Sequence, residues 1–261
     1  MSTVLKRSKW RIWQDVIFAL FTREIRTGFN DRLGISWAII QPVLFILVLS
    51  FIRGRMDGGE THGIPTFVFM AYGLILIQLF LQTFQAASKS IKKNKPLFAF
   101  RQVQPISAII ATGLFEILVK IFVVLTLGLA MYFLGMELAM EKPLYILAIL
   151  IGLWLFSLSF GLMFGLAGLF IPEIAKIETM LTRPLFFISG VFFSLQDVPR
   201  QYWYLLDWNP ILHAIELARF SAYSVYGSEG VSASFFGLVV LTTLFFSLLC
   251  YQRFWKQAIS R

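Results

Sequence analysis

The sequence predicts an all-α integral membrane protein: six transmembrane helices, an N-terminal amphipathic interface helix, and an outer-face re-entrant helix pair between spans five and six. Three observations predict it. Of the 261 residues, 58% are apolar and only 14% charged, with a mean hydropathy of +0.76, far from soluble composition. Several apolar runs reach the roughly 18 to 25 residues that cross about 30 Å of hydrocarbon as helix, and none alternates with the period of two of a barrel strand. The basic residues cluster in alternate loops, which reports orientation before it reports a nucleic-acid partner.

Residues 1–32 begin with Lys6, Arg7, Lys9 and Arg11, but Gln14 and Asp15 break the apolar run, no small-residue cleavage pattern follows, and Arg23, Glu24 and Arg26 come next. This is not a signal peptide. Trp10, Trp13, Ile17, Leu20 and Phe21 recur at helical spacing with charges opposite, the pattern of an amphipathic helix lying in the membrane surface. It serves as a plain anchor or as a partner's docking surface.

Six runs within 33–252 can cross, at about 33–52, 65–87, 106–134, 143–170, 178–196 and 232–252. The connection 88–105 carries Lys89, Lys92, Lys93, Lys95 and Arg101 with no acidic residue, a cytoplasmic mark. Placing both termini on that side, with 171–183 and the basic tail 253–261, gathers 17 of the 23 Lys and Arg there. A seventh span would put Arg253, Lys256 and Arg261 on the wrong side.

The segment 197–231 therefore stays on the outer face. Pro199 and Pro210 each push the preceding residue away from helix, so two short helices fit. Asn209 is a good N-cap and Pro210 suits the first helical position, giving a helix to about Tyr223 whose length, about 21 Å, is too short to cross. Glu216 and Arg219, three apart, can meet on one face, and Tyr202, Trp203, Tyr204 and Trp208 suit a headgroup zone. Either the segment is an aromatic belt with a surface ion pair, or it is a gate at the outer mouth of a pathway.

In the third span Glu116 and Lys120 are four apart, an intramembrane charged pair that reads as a self-satisfied structural contact, with a proton relay or substrate contact as alternatives. Gly161, Gly165 and Gly168 make a small-residue face for helix packing. His62 and His213 lack the companions of a metal site, Cys250 is the only cysteine, and neither GxSxG nor GxxxxGK[ST] occurs. No catalytic or metal-binding constellation is encoded, and uphill transport would need nucleotide hydrolysis by another chain.

Taken together, LGISWAIIQP (Leu33, Gly34, Trp37 and Pro42) and VPRQYWYLLDWNPILHAIELAR (Pro199, Asn209, Pro210, Glu216 and Arg219) resemble the permease subunit of type-2 ATP-binding-cassette exporters, most closely the capsular polysaccharide branch. The resemblance in organisation covers nearly the whole chain and specifies class better than cargo. It implies a homodimer of permeases in the bacterial inner membrane, paired with two separate ATPase subunits that carry ATP and Mg. The cargo it implies is a lipid-linked polysaccharide, with periplasmic or outer-membrane export partners beyond.

By the same resemblance, the ATPase docks at the inner loop around Ser90 to Arg101 (Lys92, Lys93, Lys95, Arg101) beside Trp13 and Ile17. The outer gate region comprises Trp208, Asn209, Pro210, Glu216 and Arg219. Export of another glycan, such as O-antigen or teichoic acid, or of a drug or lipid, is the near alternative, because shared motifs do not read substrate. An integral membrane transferase acting on lipid-linked sugars, or a passive channel, is more distant, since no carboxylate or histidine cluster and no filter motif supports either.

Overall fold

The computed structural model describes residues 8–29, 34–56, 58–135 and 140–260; Lys6, Arg7, Leu33 and Arg261 lie outside them. Among the described residues, eight α-helices follow in order: α1 Lys9–Phe29, α2 Gly34–Met56, α3 Thr66–Asn94, α4 Pro105–Phe133, α5 Pro143–Phe170, α6 Ile174–Ile188, α7 Pro210–Ala222 and α8 Ala233–Ser260. A two-residue β-hairpin, β1 Glu60–Thr61 with β2 Ile64–Pro65, links α2 to α3. Prolines at the first position open α4, α5 and α7, where the missing N–H costs no intrahelical bond.

Five of these helices, α2, α3, α4, α5 and α8, are long and apolar enough to cross a membrane. The hub is α3: 78% of its apolar window is buried, against 22% for α2 and 17% for α8, whose outer faces are left to lipid or a partner. Close approach of α3 to α5 depends on small residues. A Cβ at Gly161 would lie 2.4 Å from Ala87 Cβ, and one at Gly165 would lie 2.8 Å from the Ser88 carbonyl oxygen, whereas Gly168 meets nothing.

The predicted fifth span, 178–196, differs from what folds. Helix α6 ends at Ile188, only 15 residues long and so about 22 Å, and the chain turns through Gly190, whose φ is +73°. The upstream member of the expected re-entrant pair is a six-residue 3-10 helix, Arg200–Leu205, while α7 follows the expected bounds closely.

The two ends of the bundle have opposite characters. At one end Leu20 of α1, Ile91 of α3, Phe98, Ile109 of α4 and Leu166 of α5 form one apolar cluster, with Tyr251 and Trp255 of α8 packed on it. The other end gathers the hairpin, the start of α5 and the whole 189–232 region: His62 Nε2 lies 2.8 Å from Asp197 Oδ1, and Lys142 N donates to the Ser221 carbonyl at 2.9 Å.

Candidate functional site

At the α7 end, the chain must satisfy the carbonyls that α6 leaves open when it stops short. Irregular backbone at membrane depth is tolerated only where protein groups or water pair it. Asn209, the N-cap of α7, and Arg219 within it take part in this. Asn209 Oδ1 accepts from Ile211 N at 3.0 Å, capping α7, while its Nδ2 donates to Ser189 Oγ at 3.0 Å and to the Ile188 carbonyl at 3.4 Å.

Arg219, wholly buried, holds the turn that follows α6. Its Nη1 donates to the Gly190 carbonyl at 2.8 Å and its Nη2 to the Val191 carbonyl at 3.1 Å, while Nε and Nη2 share the Phe69 carbonyl of α3 at 3.2 and 3.0 Å. The guanidinium also sits 3.5 Å from the centroid of the Phe69 ring. Gly73 makes room for this: a Cβ there would come within 2.7 Å of Arg219 Nη2 and 3.1 Å of Val191 Cα.

Glu216 balances the charge. Its Oε1 accepts from Arg219 Nη1 at 2.9 Å and from the Tyr226 hydroxyl at 2.9 Å, and its Oε2 accepts from Ser194 Oγ at 3.0 Å. The expected pairing of Glu216 with Arg219 therefore forms, but the surface ion pair is overturned, since the two side chains are 2% and 0% exposed. Ser194, Tyr226, Phe69 and Gly73 complete this node, and no spacing in the sequence pointed to them. Trp208 stands apart, more than half exposed, with its Nε1 donating to the Leu205 carbonyl.

His213 is fixed on both sides. The backbone N–H of Ser232 donates to its Nδ1 at 3.0 Å, so Nε2 carries the proton and donates to the Asp207 carbonyl at 2.7 Å. Burial holds its pKa below the usual 6.5.

At the opposite end, the buried Glu24 of α1 accepts from Lys93 Nζ at 2.6 Å, and Arg23 Nη2 donates to Asn94 Oδ1, so α1 is tied to the end of α3. Ile17 packs inward against the apolar cluster and Trp13 is half-buried, stacking with Trp10. Lys92 and Arg101 are exposed, Lys95 is half-buried at the start of a 3-10 helix, Lys95–Ala99, and Phe100 beside it is 66% exposed. That bare ring was missed in the sequence, where one Phe among 28 carries no signal.

Within the spans, Glu116 and Lys120 do not form an ion pair. Lys120 Nζ donates instead to Gln78 Oε1 of α3 at 3.3 Å, and Glu116 is half-buried on a groove between α2, α3 and α4. The self-satisfied contact expected from their spacing is therefore replaced by a bond across to α3, because Lys120 points into the α3 interface. Among the described residues, no three His, Cys, Asp or Glu side chains group as metal ligands.

Comparison with known proteins adds to this geometry. The family model of the ABC-2 type transporter matches residues 15–223. The polysialic acid transport protein KpsM of Escherichia coli is 36% identical over 95% of this chain and 96% of its own length. The capsule polysaccharide export inner-membrane proteins BexB of Haemophilus influenzae and CtrC of Neisseria meningitidis serogroup B are 25% and 26% identical. The BexB match covers 88% of this chain and 86% of BexB; the CtrC match covers 98% of each chain.

Proposed function

This chain belongs to the ABC-2 type transporter membrane family, and on that premise we propose that it is the transmembrane subunit of an ATP-driven exporter of a lipid-linked capsular polysaccharide across the bacterial inner membrane. The near full-length match to the polysialic acid transport protein carries the cargo assignment. Two copies pair with two ATPase subunits, which bind ATP and Mg. Both termini and the 88–105 connection face the cytoplasm; the clustering of α1, the end of α3 and the end of α8 at one end of the bundle supports this orientation.

In this reading, Lys92, Arg101 and the exposed Phe100 meet the ATPase, and a bare aromatic flanked by cations makes a natural contact centre. Lys93 and Ile17 act one step behind, by fixing α1 to the docking turn. The α7 node shapes the outer mouth, as a frame that holds the Ile188, Gly190 and Val191 carbonyls. Accessory envelope partners would meet the exposed aromatic surface of Tyr204 and Trp208.

Deleting the gene in its host and assaying surface glycan tests the proposal. Loss of surface polysaccharide with accumulation of glycan inside, restored by the gene in trans, is the expected result. Normal surface glycan in the deletion strain, or failure of the purified chain to bind any co-expressed ATPase, would sink it.

A further inference from the structure

Four glutamines occupy membrane-spanning helices where hydrocarbon would be expected. Gln78, Gln82 and Gln85 lie at i, i+4 and i+7 on one face of α3, and Gln41 faces them from α2. They line an open groove of about 580 Å³, to which α4 contributes Glu116. Gln78 lies about 18 Å along α3 from its outer start, so the groove reaches mid-depth of the bundle.

Gln41 and Gln82 are exposed in the single chain, and an amide that faces lipid without partners is costly. Such a stripe looks onto water, a polar ligand or the paired copy of the chain, and the open groove along it leaves room for the first two. Pro42 adds to it: lacking an N–H, it cannot donate to the Ala38 carbonyl one turn back, and Ala38 lines the same groove. Apolar rings complete the wall. Phe45 and Phe186 close the groove toward the α7 end, their centroids 6.2 Å apart, and Phe192 of the turn held by Arg219 packs on Phe186 at 5.5 Å.

We infer that this groove is a binding track for the sugar chain of the cargo, with the glutamine amides hydrogen-bonding hydroxyls and the phenylalanine rings covering the apolar sugar faces. Acyl tails offer nothing to an amide, and lipid headgroups stay at the interface, whereas a polyhydroxylated chain presents donors and acceptors at every residue. Amides supply both roles without fixed charge, so they hold a moving polymer by many weak contacts and release it, as conduction requires. Lys120, anchored on Gln78, orients the deepest of these amides. This inference rests on the proposed export of a polysaccharide.

The test replaces two exposed members, Gln41→Leu with Gln82→Leu, in the host that makes the glycan. Leucine suits a membrane helix, so membrane abundance and turnover of the co-purified ATPase should stay within about two-fold of wild type, while surface polysaccharide falls ten-fold or more. Wild-type export by the double variant overturns the groove and leaves the function standing. Failure of the wild-type gene itself to restore glycan export defeats both.

If the double variant is lost from the membrane, Gln82→Cys in a Cys250→Ser background gives a second measurement. Inverted vesicles are labelled with a water-soluble methanethiosulfonate, prepared from cells making the glycan and from cells blocked in chain synthesis. Labelling several-fold slower with glycan present is the expected result. Equal rates, or no labelling in either, overturn the inference.

Discussion

Two carboxylate-cation pairs lie in apolar surroundings in this chain, and they end differently. Glu216 and Arg219, three apart on α7, close into a fully buried node with every main polar atom bonded. Glu116 and Lys120, four apart on α4, make no ion-pair contact: Glu116 lines a groove and Lys120 bonds Gln78. Spacing permits a pair, and the packing around it decides whether one forms. Where neighbouring carbonyls need donors, the cation is consumed by them; where the neighbour is an amide, the cation is taken by that amide and the carboxylate is left on the groove.

Breaking the first pair should have the largest effect. Arg219→Ala removes the donors for Gly190, Val191 and Phe69 and strands Glu216, a loss of about 3–5 kcal/mol for one partner of a buried pair; sharply reduced folded protein by size exclusion in detergent is expected. Undiminished yield would show the node to be dispensable. Gly73→Ala should follow at about 1–3 kcal/mol, because the new methyl meets backbone at Val191 as well as the guanidinium, read as a lower thermal midpoint.

The second pair should behave in reverse. Replacing Lys120 by Met removes a buried charge that lacks its carboxylate, so stability should hold or rise while export drops, separating the two regions in a thermal melt and a glycan assay on the same protein. A destabilised Lys120→Met protein would show that the bond from Lys120 to Gln78 holds α4 to α3.

His213 offers a gentler probe of the α7 region. Burial lowers its folded pKa from 6.5, so the stability it lends is complete above that value and declines as pH falls below it. The thermal midpoint should drop from pH 7.5 to 5.5, and less so for His213→Gln. The smallest effect belongs to Lys93→Ala: its partner Glu24 is buried but Lys93 is itself half exposed, so about 1 kcal/mol or less is at stake, with ATPase association the more sensitive readout.

The start of α7 was legible because its determinants are local: Asn209 caps and Pro210 initiates within three residues. Long helices such as α4 and α5 were legible for the same reason, as apolar runs opened by a proline. The end of α6 was not. Residues 189–196 carry no charge and include Val191, Phe192, Phe193 and Leu195, and the helix stops at Ile188 in a glycine turn whose donors, Asn209 and Arg219, lie beyond the next segment of chain. Of the candidate site, the residues that bond within one turn could be read, and those brought from α3 or from Tyr226 could not.

The broken end of α6 also sets an order of events. Residues 190–193 are synthesised before Arg219, so when the α5–α6 hairpin first meets the bilayer its open carbonyls have no side chain to receive them. The turn after α6 therefore gains its native hydrogen bonds only once Arg219 of α7 has been made.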